Sequence, residues 1–295
     1  MSLDVLNLLA VFVAALGGGW VARRVGYPSI LGELAAGIVL GPPLLGLLQP
    51  DDALGVIGKL GVVLLMLYIG IHLDPASIGR AAKPGTLAAI GGFVVPAGLG
   101  FGLMMVVDGD PISAAFVAVA MGVTSLATKS RILVDLGILN TRIAHVLMAG
   151  ALVSDVAALV IFAGLLGFAA SGSLAIGGLV TTAVLIVAFL AISWLVGTRV
   201  LPHVGRWLSS KKMDPSVRFL VVVSIGLAFA AAADAVGLHA ILGAFIAGLF
   251  IREGVLERDQ LADVEAKTRL VSVGFLAPVF FVTAGFDVSF SVFLT

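Results

Sequence analysis

The 295-residue chain contains no cysteine, which excludes a disulfide framework, a thiolate metal site and a cysteine nucleophile. Charge is scarce as well: 12% of residues are Asp, Glu, Lys or Arg, against 60% hydrophobic. A soluble domain carries roughly 25% charged and about 45–50% apolar residues, so a water-soluble globule is excluded. Disorder is excluded by the same hydrophobicity. The 17 basic residues balance 17 acidic ones, and no basic stripe offers a surface to nucleic acid. Also missing are a Walker phosphate loop, an HExxH zinc helix, a GxSxG elbow and a cluster of histidines at ligand spacing. Intramembrane hydrolysis would need a second catalytic Asp or a Ser–His pair on adjacent spans, and neither is present. The chain is therefore not expected to be an enzyme, and no cofactor is expected.

What the chain has is apolar sequence in blocks, and about 20 such residues cross a bilayer. Charges and turn residues divide it into ten segments: 5–22, 29–47, 55–73, 85–107, 112–137, 141–169, 174–198, 216–235, 240–251 and 270–290. The first lacks a basic leader region and a small-residue cleavage site, so it reads as a mature helix rather than a signal peptide. The expected fold class is an all-α polytopic membrane protein. Sixteen of the 17 basic residues fall at alternate connections, on one side of the membrane, with Lys59 alone on the other. The opposite connections carry Asp51, Asp52, Asp108 and Asp110. The positive-inside rule then places the basic side in the cytoplasm and the N-terminus outside, in the cell (inner) membrane.

Two stretches match each other. Val25-Gly-Tyr-Pro-Ser-Ile-Leu-Gly-Glu-Leu-Ala-Ala-Gly37 shares seven of thirteen positions with Val236-Gly-Leu-His-Ala-Ile-Leu-Gly-Ala-Phe-Ile-Ala-Gly248, ungapped at an offset of 211. A fainter echo pairs Gly70 and Asp74 with Gly285 and Asp287. The copies lie seven spans apart, an odd number, so they face opposite ways in the membrane. Inverted repeats of this kind mark secondary transporters. The expected division is residues 1–170 as a first repeat of six spans, 171–212 as a linker helix and loop, and 213–295 as the start of a second repeat. By the offset that repeat would end near residue ~380, so about three of thirteen helices would lie beyond Thr295. The chain as it stands would then be inactive alone.

Ionisable groups inside lipid are costly and default to functional hypotheses. Asp155 sits near the middle of the sixth span, and the 43 residues after it, Val156 to Thr198, carry no charge. It needs a proton, a metal ion or a cation as partner. Thr124 and Ser125 lie near the middle of the fifth span beside Gly122, where hydroxyls can satisfy unwound backbone of the sort that binds ions in transporters. Lys129 and Arg131 follow in that span and are expected to face an aqueous cavity on the cytoplasmic side. Ser154 could ligate a cation or bond the carboxylate, although a helix neighbour points about 100° away. Glu33, one turn into the second span, reads as structural or cavity-lining. Asp234 reads equally as a helix cap, and His145 as structural.

These strings resemble the monovalent cation:proton antiporter-2 family. Ile30-Leu-Gly-Glu-Leu-Ala-Ala-Gly-Ile-Val-Leu-Gly-Pro42 is similar to its second-helix signature. Thr124-Ser125 with Arg131, Leu133, Leu136 and Gly137 resembles its unwound helix, and Ala151-Leu-Val-Ser-Asp155 its ion-site helix. Ala240–Gly248 and Pro278–Gly285 match two further signatures, so the resemblance covers essentially the whole chain. It implies a thirteen-helix homodimer in the lipid bilayer, with a dimerisation scaffold and a mobile core. Na⁺ or K⁺ would be exchanged for H⁺ by elevator-like alternating access. The family's ion-site Asp carries over to Asp155 and its hydroxyl pair to Thr124 and Ser125. One departure stands before that Asp, where members commonly have Asp, Asn or Gln and this chain has Ser154.

Rival readings are a glutathione-regulated K⁺ efflux system, which a cytoplasmic regulatory domain beyond Thr295 would mark, and a non-transporting membrane scaffold or sensor. An organic-anion symporter fits the Thr-Ser and Asp155 strings less well.

Overall fold

Five helix starts in this chain are written by aspartate. Asp4, Asp51, Asp74, Asp110 and Asp214 each accept backbone N–H bonds from the first turn of the helix that follows. Three of them precede a proline, whose missing N–H costs nothing at the first helical position. Asp74 also accepts from the Ser77 hydroxyl at 2.5 Å, and that bond holds its carboxyl below the usual carboxylate range.

The structure, a computed structural model, describes residues 4–171, 176–208 and 213–290. Its helices are α1 (Val5–Arg24), α2 (Ser29–Leu40), α3 (Asp52–His72), α4 (Pro75–Val107), α5 (Pro111–Gly122), α6 (Leu126–Asp135) and α7 (Arg142–Ser171). Then follow α8 (Ile176–Leu195), α9 (Leu201–Leu208), α10 (Pro215–Ala235), α11 (Ala240–Gly254), α12 (Arg258–Val271) and α13 (Ala277–Ala284). Single π turns, Val196–Val200 and Ser272–Leu276, join α8 to α9 and α12 to α13. Eight helical stretches are long and apolar enough to cross a bilayer. This is the all-α polytopic membrane protein that the composition required.

The expected boundaries shift in four places. The second span stops at Leu40 instead of reaching 47, because Pro42 and Pro43 cannot continue a helix. At 12 residues α2 is short for a bilayer, as is α11. The fourth span starts at Pro75, ten residues before the expected 85, because the Asp74 cap brings Arg80 and Lys83 into the helix. The seventh span runs on through its π turn to Leu208. The last span begins at Arg258, so most of the expected loop before residue 270 is the polar helix α12. Lys211 and Lys212, counted among the cytoplasmic charges, lie outside the described residues.

Packing falls into two groups. In one, α4 lies against both α5 and α7, and α6 lies on α7. In the other, α1 packs on α2, α3 on α11 and α13, α10 on α11, and α13 on α2. Between the groups, α6 meets α2 and α3. Arg252 closes the far end of α3 by donating to the carbonyls of Ile71 and His72 at 3.2 and 2.5 Å, and His72 contacts Glu265 of α12.

The two similar stretches adopt the same local geometry. After α1, Gly26 has φ +89°, and Tyr27 N donates to Ala22 O at 2.9 Å. After α10, Gly237 has φ +84°, and Leu238 N donates to Ala233 O at 2.9 Å. Glycine enters this left-handed region without penalty. Packing is reciprocal too: a Cβ on Gly70 would strike Phe245 and Gly248, and one on Gly285 would strike Leu34 and Gly37. Those targets are equivalent at the offset of 211, so α3 crosses α11 as α13 crosses α2. Gly70→Val is expected to force α3 from α11 and destabilise the protein by about 1–3 kcal/mol. Thermal unfolding in detergent measures this, with Gly79→Ala, where nothing lies within 4 Å, as an unaffected control.

Candidate functional site

The fifth span is broken at its centre. Gly122 ends α5, and Val123 and Ser125 are extended, with ψ of 134° and 121°. Two helix ends therefore meet inside the bundle, with carbonyls of α5 and N–H groups of α6 left without helical partners. Thr124 and Ser125 occupy this break, and both hydroxyls are used locally. Ser125 Oγ caps α6 by accepting from Thr128 N at 3.2 Å. Thr124 Oγ1 accepts from Lys129 Nζ at 2.5 Å.

Asp155 lies near the middle of the 30-residue α7, which packs behind both α5 and α6. It is half-buried and has no hydrogen-bond or ion-pair partner among the described residues. It opens onto a cavity of about 560 Å³, lined by Phe116, Val119 and Val123 of α5, Phe162 of α7, and His239 at the start of α11. Phe116 and Phe162 meet edge to face at 6.0 Å. The lining is apolar apart from Asp155 and His239, so water and ions in it encounter a single carboxylate. Lys129 and His239 lie within electrostatic reach of Asp155. By chain direction this cavity lies in the half opposite the basic connections.

A second, more polar cavity of about 560 Å³ lies in the basic half, between α1, α2, α6 and the α12–α13 junction. In its wall Arg131 is buried, bound to Glu33 at 3.1 Å and to Asp135 at 3.2 Å. Arg131 also donates to Val273 O at 2.9 Å, a carbonyl within the π turn, where the helical ladder is disturbed. Ser29 Oγ donates to Asp135 at 2.6 Å. Glu33 Oε2 is buried without a partner.

The expected site residues thus separate. Thr124, Ser125 and Lys129 gather at the helix break, with Asp155 on the helix behind. Ser154 is buried and does not line the cavity at Asp155. Arg131, expected to face an aqueous cavity on the cytoplasmic side, lines the polar cavity of the basic half at 4% exposure, where two carboxylates and a carbonyl replace its hydration. Lys129 was expected there too and instead turns back onto Thr124. Glu33 is both structural and cavity-lining. Sequence reasoning missed Asp135 and His239. Asp135 had a signal, four residues after Arg131 on one helix face. His239 had a fainter one, as the polar residue opening the second repeat copy where the first has Pro28.

An all-helical membrane bundle with a helix broken beside an unpaired carboxylate on a neighbouring helix has the features that secondary transporters use at their ion sites. The chain belongs to the sodium/hydrogen exchanger family, whose transmembrane region matches residues 10–295. Among similar proteins, the Na⁺/H⁺-K⁺ antiporter GerN of Bacillus cereus is 28% identical over 92% of this chain and 68% of its own length. The high-affinity Na⁺/H⁺ antiporter NhaS3 of Synechocystis is 27% identical over 97% and 68%. The solved sodium proton antiporter MjNhaP1 of Methanocaldococcus jannaschii shares the fold, with a TM-score of 0.61 at 17% identity over 98% of this chain and 72% of that one. These relatives are named as transporters, not enzymes.

Proposed function

We propose that the protein exchanges a monovalent cation, Na⁺ or K⁺, for protons by alternating access at Asp155. The observation that carries this reading is the unpaired Asp155 carboxylate, halfway along α7, open to one cavity and backed by the break between α5 and α6. Deprotonated, it binds a dehydrated cation, with Thr124, Ser125 and freed backbone carbonyls as further oxygen donors; Ser154, outside that cavity, would join them only if α7 turned. Lys129 must release Thr124 for that hydroxyl to take part. Protonation of Asp155 expels the cation. Either loaded state is neutral and can cross, whereas the bare carboxylate is too costly to carry through hydrocarbon. Coupling therefore needs no separate gate at the site.

The reading extends to the whole molecule: a homodimer in the cell membrane with its N-terminus outside, built from repeats at 1–170 and 213–295 around a linker at 171–212. The relatives' activities, named for Na⁺ and K⁺, support the choice of cargo. The test is cation-driven proton flux in proteoliposomes across a pH series. Competition at one carboxylate makes the apparent cation affinity about tenfold weaker per pH unit on the acid limb, where the proton occupies the site. An affinity independent of pH, or proton flux that ignores the cation, would overturn the proposal.

A further inference from the structure

The two cavities stand in different states. Asp155 lines the cavity away from the basic connections and not the polar cavity in the basic half. In the basic half α6 packs on α2 and α3, and its Arg131 bonds Val273 at the α12–α13 junction. α6 belongs to the packing group that carries Asp155; α2, α3, α12 and α13 belong to the other. At this junction of the two groups lie the buried ion pairs of Arg131 with Glu33 and Asp135. The Ser29–Asp135 hydrogen bond and the Arg131–Val273 bond cross the same boundary. Ile30 N also donates to Asp135 at 3.3 Å. Arg23 and Arg269 line the cavity beside the cluster but pair with neither carboxylate.

We propose that Ser29, Glu33, Arg131 and Asp135 form the basic-side closure of the transport path: they hold α6 against α2 and the α12–α13 junction while Asp155 faces the opposite side, and must part before it faces the basic side. The inference rests on Asp155 as the transport site. Its chemistry suits a reversible closure. Ion pairs and hydrogen bonds can be exchanged for water when a polar cavity opens, whereas the apolar cavity at Asp155 has no comparable cluster. Two carboxylates flank one guanidinium, so separation leaves Glu33 and Asp135 on either wall of the opened passage, attractive to a departing cation.

The absence of native cysteine makes introduced thiols unique. Ser130, the residue before Arg131, is fully buried in α6, 3.9 Å from Met66 of α3. A Ser130→Cys protein in inside-out vesicles is expected to react slowly with a membrane-impermeant methanethiosulfonate. Adding Glu33→Gln or Asp135→Asn shifts the population towards the parted state and raises the rate roughly tenfold. Unchanged rates in both backgrounds would overturn the closure. In a separate protein, Ser29→Cys with Asp135→Cys, bridged by a short bis-methanethiosulfonate, should lose exchange and regain it on reduction. Exchange that persists after bridging also overturns it. Repeating the labelling with Asp155→Asn separates the two readings: labelling reports the closure without transport, so normal exchange in that variant would sink the role of Asp155 alone.

Discussion

Asp155→Asn is expected to abolish cation-driven proton exchange while leaving the protein folded. Asparagine keeps the shape of the side chain but neither takes up a proton nor carries a charge. The lost attraction between a carboxylate and a bound cation about 4 Å away is worth about 4 kcal/mol at an effective dielectric constant of ~20. That corresponds to roughly 10²–10³ in cation affinity. The expected sign on stability is the reverse of a structural role. Asp155 forms no ion pair or hydrogen bond among the described residues, so nothing is broken by the change, and the cost of keeping a charge in the bundle is removed. The variant should therefore melt at or above the parent temperature in detergent and show no flux in proteoliposomes. Undiminished exchange would sink the mechanism; a collapse in stability would return Asp155 to a structural role. Asp155→Glu keeps the charge and should retain partial exchange with altered cation preference, because its carboxylate stands one methylene further from the α7 backbone.

Much of this was legible in the sequence, and the boundary of legibility is physical. Span content follows from runs of apolar residues, which is why ten segments were found where the structure has apolar helices. Asp155 was legible because a lone charge in a run of 43 uncharged neighbours has few structural explanations. The break at 123–125 could be anticipated from Gly122 and two hydroxyls in midspan, but the local uses of those hydroxyls could not. Capping by Ser125 and the Lys129–Thr124 bond depend on the angle at which α6 leaves the break. Helix starts were more legible than the reading made them. Asp74-Pro75 is a start signal, but Arg80 and Lys83 behind it give the first turns the charge of a loop. The Arg131 cluster was the least accessible part. Glu33 and Arg131 are 98 residues apart, and what joins them is the crossing of α2 by α6, a fact of tertiary packing that no local pattern carries. The reciprocal crossings of α3 with α11 and of α13 with α2 show the same limit. The repeat was visible at 25–37 and 236–248, but that each glycine is the footprint of the other copy's helix was not.

Arg131→Ala is expected to be the most destabilising single change in the basic half. It leaves Glu33 and Asp135 buried without their shared guanidinium, and breaking a buried pair from one side costs about 3–5 kcal/mol. The Val273 carbonyl and Ser29 hydroxyl lose a donor as well. Glu33→Gln should cost less, because Arg131 keeps Asp135 and Val273, and because Glu33 Oε2 has no partner to lose. Thermal unfolding in detergent ranks the two. Stability alone would not separate a gate from a mere staple, so the decisive variant replaces the whole cluster by apolar side chains of similar size: Glu33→Met, Arg131→Met and Asp135→Leu together. Replacing a complete buried ionic group by well-packed apolar side chains of similar volume is often neutral or stabilising, so the triple variant should recover most of the stability lost in Arg131→Ala. If the cluster only staples helices, that protein should also exchange ions normally. If it closes the basic side, the triple variant should be stable yet expose Ser130→Cys to labelling from that side, because neutral contacts hold the packing of each group but no longer hold α6 against α2. Restored stability with continued burial of position 130 would assign the cluster to folding alone.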